Sequence, residues 1–149
     1  VKGAMHLAAV LDDATLPKLT RKHFENSFSA KVEGARSLHD ALEMSALDFY
    51  VLFSSTSALI GSPGQGNYSA ANSTLDALAH YWQQQGEKVW SVQWGPWKEA
   101  GMAAQKGTVE RLRSQGVGSL TNAFGMSVLG SVLGFASKRL YRHMHRVTD

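Results

Sequence analysis

The run Phe49-Tyr50-Val51-Leu52-Phe53, just after Asp48, limits the fold of this 149-residue chain more than any other segment. Five consecutive bulky residues do not suit a strand with one face in water. They suit a strand covered on both faces, as in a parallel sheet. The run leaves through Ser54-Ser55-Thr56-Ser57, crosses a loop containing Gly61, Pro63, Gly64 and Gly66, and enters a helical pattern near Asn67. Tyr68 and Asn72 stand four residues apart there, a spacing that puts both on one helix face. A hydroxyl at a strand end, facing a tyrosine at the start of the next helix, can polarise and protonate a carbonyl oxygen.

The segments on either side repeat the alternation. Lys2 to Ala8 reads as a buried strand, and Leu16-Pro17 closes a loop before Thr20, the predicted N-cap of a helix from Arg21 to about Ala46. Its apolar stripe is Phe24, Phe28, Ala35, Leu38 and Leu42, with position 31 on the same face. Position 31 is a lysine, which either snorkels outward along its alkyl stem or is held inside for a purpose. Asn67 to Gln85 shows a second helical stripe of Ala71, Leu75, Leu78 and Trp82, with Gly86 as the predicted C-cap. Lys88 to Trp94 reads as a third strand, stopped by Gly95-Pro96. Strand, helix, strand, helix, strand predicts an α/β fold: a doubly wound, Rossmann-like parallel sheet built from right-handed crossovers.

Beyond Trp94 the pattern is weaker. Gly101 to Gly107 reads as a loop, Thr108 to Gln115 as a short helix, and Thr121 to Ala136 as a helix with Phe124, Val128 and Val132 on its packed side. Gly125, Gly130 and Gly134 oppose that last helix by about 1 kcal/mol each relative to Ala.

Composition excludes several classes. There is no cysteine, hence no disulfide framework or thiolate metal site, and the six histidines show no ligand spacing beyond His143 and His145 in the basic terminus, a pair that reads as solvated, so no metal is expected. The sequence holds no membrane-length apolar run, no secretory signal and no Gly-x-Ser-x-Gly hydrolase elbow, and a cytoplasmic protein is expected. Four of the fifteen basic residues fall in 138–149 with one acid, leaving the first 137 residues balanced at eleven of each sign. That balance does not favour nucleic acid. The expected organisation is a domain over 1–137 followed by a basic tail or linker over 138–149. Three strands make a small doubly wound sheet, and its usual phosphate-binding GxGxxG turn is missing. The nearest match, Gly64 to Ser69, ends in Ser and precedes the wrong element. The chain reads as the second half of a larger sheet.

Four segments carry a family resemblance: HLAAVLDD (His6 to Asp13), AKVEGARSLH (Ala30 to His39), FYVLFSSTSALIGSPGQGNYSAANSTLDALA (Phe49 to Ala79) and VQWGPWKEAGM (Val92 to Met102). In this order and spacing the chain resembles the C-terminal half of a polyketide synthase ketoreductase domain, a branch of the short-chain dehydrogenase/reductase superfamily. The resemblance covers about Val1 to Gly118.

The resemblance implies a catalytic tetrad. Tyr68 matches the proton donor and Ser55 the serine that binds the substrate carbonyl. Lys31 matches the lysine that lowers the tyrosine pKa and touches the nicotinamide ribose, and Asn72 completes the set. It implies NADPH as cofactor, met by His6, Ala8 and Ala9 at a strand end, by Lys31 and Tyr68, and by Gly95, Pro96 and Trp97, with Gly101 to Gln115, including Met102, as a lid over the substrate. Leu11-Asp12-Asp13, Pro63 and Asn67 match the subgroup that gives a D-3-hydroxyl (the B-type), and Ile60 stands where the opposite subgroup has Trp. The implied reaction is reduction of a β-ketoacyl thioester carried on the phosphopantetheine arm of an acyl carrier protein. The implied partners are that carrier, the other synthase domains and the N-terminal Rossmann half. The alternative is a non-catalytic segment that scaffolds neighbouring synthase domains. An intact tetrad favours the enzyme.

Overall fold

The computed structural model describes residues 1–102, 113 and 116–144, with side chains through residue 134. It comprises two compact units, residues 1–94 and 95–149, each described by itself.

In the first unit Gly3–His6 forms β1, Phe49–Ser55 β2 and Val89–Trp94 β3. They make a parallel sheet in the order β1-β2-β3, with Met5 opposite Val51 and Leu52 opposite Ser91. Parallel neighbours cannot be joined by a tight turn, so a helical crossover fills each gap. The central position of β2 accounts for its composition: Tyr50, Val51 and Leu52 have no exposed surface at all. The predicted Rossmann-like α/β layering is what the chain adopts.

The first crossover, read from sequence as one helix from Arg21 to about Ala46, is a rod in three pieces. α1 (Arg21–Phe28) runs into a π-helical turn, Ser29–Glu33, and then into α2 (Gly34–Ala41). Thr20 is the N-cap, as predicted, and His23 shares the role. Its Nδ1 accepts the Thr20 backbone N–H at 3.1 Å and contacts Thr20 Oγ1 at 2.7 Å. The packed face differs from the predicted stripe. Ser27, Lys31, Val32 and Ala35 are buried, whereas Phe24 stays exposed and only leans on Phe28 at 6.5 Å. Leu42 leaves the helix in extended geometry, and with Leu38 and Met44 it packs beside the core.

The second crossover contains a single helical turn, α3 (Ser57–Ile60), inside the predicted loop, and then α4 (Gly66–Gln84). Ala71, Leu75, Ala79 and Trp82 line its buried face, with Leu78 partly covered beside them. Gly86 closes the helix at φ +88°, a left-handed conformation in which glycine has no Cβ to clash. Its N–H bonds Gln83 O at 3.0 Å, and the Glu87 N–H bonds Trp82 O at 3.1 Å.

In the second unit Trp97 bridges Leu120 in parallel, fixed by Leu120 N–H to Pro96 O and Lys98 N–H to Leu120 O, both 2.8 Å. α5 follows as Asn122–Met144, longer than the predicted helix and running into the segment expected to be a tail. Its buried face is Gly125 and Leu129, and Phe124 is exposed. The Trp97 ring lies where a side chain at position 125 would stand, so only glycine admits it. The predicted short helix at 108–115 lies outside the described residues except for residue 113. Among the described residues no helix is long and apolar enough to cross a membrane.

Leu75 has no exposed surface, whereas Leu59 on α3 is 75% exposed. Urea denaturation should therefore show Leu75→Ala losing about 2–5 kcal/mol and Leu59→Ala changing by less than about 0.5 kcal/mol.

Candidate active site

The four predicted catalytic side chains are delivered by three structural devices. Ser55 is the last residue of β2, where the strand end turns into α3. Tyr68 and Asn72 sit on the first turns of α4, and Lys31 lies in the π turn. These devices bring the four together. The Lys31 Nζ lies 5.3 Å from the centre of the Tyr68 ring and donates to the carbonyl of Phe53 at 2.9 Å. Ser55 and Asn72 both act on the Tyr68 phenol, each lowering its pKa. Ser55 Oγ accepts the Ser57 backbone N–H at 3.1 Å, which leaves its own proton to donate. The Asn72 amide nitrogen donates to Tyr68 O at 2.8 Å, while its Oδ1 is buried and accepts nothing.

Lys31 is 2% exposed, so of the two readings open from sequence it is held inside. Burial lowers its pKa to about 8, against an opposing pull from the Asp76 carboxylate. Burial pushes the Tyr68 phenol up, hydrogen bonds from Asn72 and Ser55 pull it back, and the charge of Asp13 adds to the rise. The net direction is upward, not the expected lowering by Lys31. The ammonium faces the π surface of the ring, and desolvation of the hydroxyl prevails. At neutral pH the site pairs a charged lysine with a protonated phenol.

The residues expected to set stereochemistry form one rim from two distant segments. Asp12 accepts the Asn26 amide at 2.7 Å, with the His23 ring at 3.8 Å. Asp13 takes both bonds of the Gln65 amide, at 3.0 and 3.2 Å, and Ala14 N–H reaches Gly64 O at 2.9 Å. Asn67 is fully buried, and its amide nitrogen contacts Asp12 O at 2.9 Å and both His23 O and Ser27 Oγ at 3.0 Å. It holds the loop from beneath. Leu11, 38% exposed, and Pro63 lie on the surface.

His6 is not open to a ligand. Its side chain is buried, and Nε2 lies 2.9 Å from the carbonyl of Lys31. Ala8 is exposed and Ala9 half-buried just after β1. Gly95, Pro96, Trp97 and Met102 belong to the second unit. Four contributors escaped the sequence reading: the Phe53 carbonyl, because a backbone acceptor leaves no trace in residue type, and His23, Asn26 and Gln65, whose polarity fits any solvated surface.

The KR domain family model matches residues 1–99. The phthioceranic/hydroxyphthioceranic acid synthase of Mycobacterium tuberculosis is 48% identical over 101 residues, covering 68% of this chain and 5% of that protein. Among solved structures, an A-type ketoreductase from a modular polyketide synthase is 38% identical with a TM-score of 0.85, covering 91% of this chain and 29% of that one. A C2-type ketoreductase from a modular polyketide synthase is 34% identical with a TM-score of 0.79, covering 91% and 30%. The chain thus spans a small part of each relative's length.

Lys31 releases its proton near pH 8 in the folded chain and near its ordinary 10.5 when unfolded. The cost of burying its charge, about 3 kcal/mol, is therefore felt in full below pH 8 and fades as pH climbs to 10.5. Lys31→Met should raise the denaturation midpoint at pH 7 and flatten the rise in stability across that window. A midpoint below the parent's at pH 7 would contradict it.

Proposed function

The chain belongs to the ketoreductase (KR) domain family of polyketide synthases, and from that premise we propose that it carries the catalytic centre of a β-ketoacyl thioester reductase. The observation that carries this reading is the convergence of Lys31, Ser55, Tyr68 and Asn72 from three elements on one phenol. A scaffold would have no need to bury a lysine there.

The donor set fits a reduced nicotinamide nucleotide. The Lys31 ammonium gives one proton to Phe53 O and stands beside the Tyr68 ring, next to where a nicotinamide ribose would lie in this reading, and Ala8 and Ala9 leave open backbone just past β1. The choice of NADPH follows from the family. When bound, the reduced nicotinamide supplies the hydride that adds to the β-carbon. Ser55 and Tyr68 donate to the keto oxygen as the C=O electron pair moves onto it, and the Tyr68 O–H proton completes the hydroxyl. The upward pKa of Tyr68 keeps that proton in place until the oxygen turns basic. The Lys31 charge against the ring then favours the phenolate left behind.

The substrate in this reading is a β-ketoacyl chain on the phosphopantetheine arm of an acyl carrier protein, within a cytoplasmic multidomain synthase. The other Rossmann half adds to the free edge of β1. The product is the D-3-hydroxyacyl thioester. A-type and C2-type neighbours share the backbone, so this subgroup assignment rests on Leu11-Asp12-Asp13, Pro63, Asn67 and Ile60.

The test is NADPH oxidation and chiral analysis of the product, with a β-ketoacyl thioester and the intact synthase module. Tyr68→Phe should lower the rate about 10²- to 10⁴-fold, and Ser55→Ala about 10²- to 10³-fold. Asp13→Ala should erode the preference for the D product. A Tyr68→Phe module reducing at the parent rate would favour the scaffold.

A further inference from the structure

The π turn at Ser29–Glu33 ends where the Gly34 N–H is shared between Ser29 O and Lys31 O. The Lys31 carbonyl meets a further donor from another element. His6, at the end of β1, brings Nε2 to 2.9 Å from Lys31 O. A carbonyl only accepts, so Nε2 carries the proton and the ring donates. His6 is 6% exposed, and Gly34 makes room for it: a Cβ there would stand 3.0 Å from His6 Cε1.

We propose that His6 is a positioning residue for Lys31: its ring N–H clamps the carbonyl of the π turn, and Gly34 gives the ring its seat, so that the ammonium on the same residue reaches Phe53 O and the Tyr68 ring. This rests on the reductase reading above, to which it adds a second-layer residue. The charge arrangement agrees. Burial lowers the His6 pKa and the nearby ammonium opposes its protonation, so a neutral ring faces the one cation of the pair. The ammonium itself faces Asp76 and the Tyr68 ring. The π turn buries Lys31 and Val32 side by side, and the His6 ring meets the Lys31 carbonyl from outside the helix.

The experiment compares His6→Phe, His6→Gln and Gly34→Ala with the parent in the intact synthase module, by two readouts. The first is thioester reduction. His6→Phe and Gly34→Ala should each lower kcat roughly ten- to a hundredfold with KM little changed, and His6→Gln, which restores an N–H donor, should recover most of the loss. The second needs no turnover: the pH dependence of acylation of the Lys31 amine, read by mass spectrometry. Its midpoint should rise from about 8 towards 10.5 in His6→Phe and Gly34→Ala. Parental kcat and midpoint in either variant, with the fold intact, would overturn the proposal. If His6→Phe does not fold, Gly34→Ala and His6→Gln decide alone. A parent without reductase activity but with the midpoint shift would sink the functional reading and leave the clamp standing.

Discussion

A buried ammonium donating to a strand carbonyl is the interaction on which the site depends. The bond from Lys31 to Phe53 O joins the first crossover to the middle strand, in a place where an unpaired charge would be intolerable. Several features meet there. The helix carries its π turn around position 31, β2 ends two residues after Phe53, and an aromatic face covers the remaining charge. Tyr68 provides that face and, in the proposed reaction, the acid in one side chain. The fold therefore carries a destabilising group at its centre, as expected of a site in which stability and function pull apart.

The backbone order could be read from the sequence because burial on both faces leaves a composition that few other arrangements tolerate. Phe49 to Phe53 predicted a covered strand, and β2 is the covered strand. Thr20 and Gly86 marked helix ends because capping acts through the residue itself. Lys31 on an apolar face left two readings open, a snorkelling side chain or a held charge, and only the family resemblance chose between them.

What could not be read depends on partners far away in the chain. The π turn leaves the apolar spacing nearly unaltered, and the ring that meets its Lys31 carbonyl lies 25 residues earlier, in His6. Phe124 was the natural choice for a packed helix face, but the second unit buries Gly125 under Trp97, and bulk there would exclude the ring. The rise of the Tyr68 pKa was missed because proximity to a cation suggested the opposite sign, while burial of the phenol proved stronger.

The buried Asn67 amide, one residue before the phenol proposed as the acid, joins the Asp12 backbone to helix α1. In the proposed reaction, handedness and acidity are thus mechanically one assembly. Chimaeras that swap only the short acidic motif between synthases would leave a buried amide facing foreign backbone. Transplanting the two loops together with the helix between them conserves that joint, and so the natural exchangeable unit for redesigning product configuration is larger than the motif that signals it.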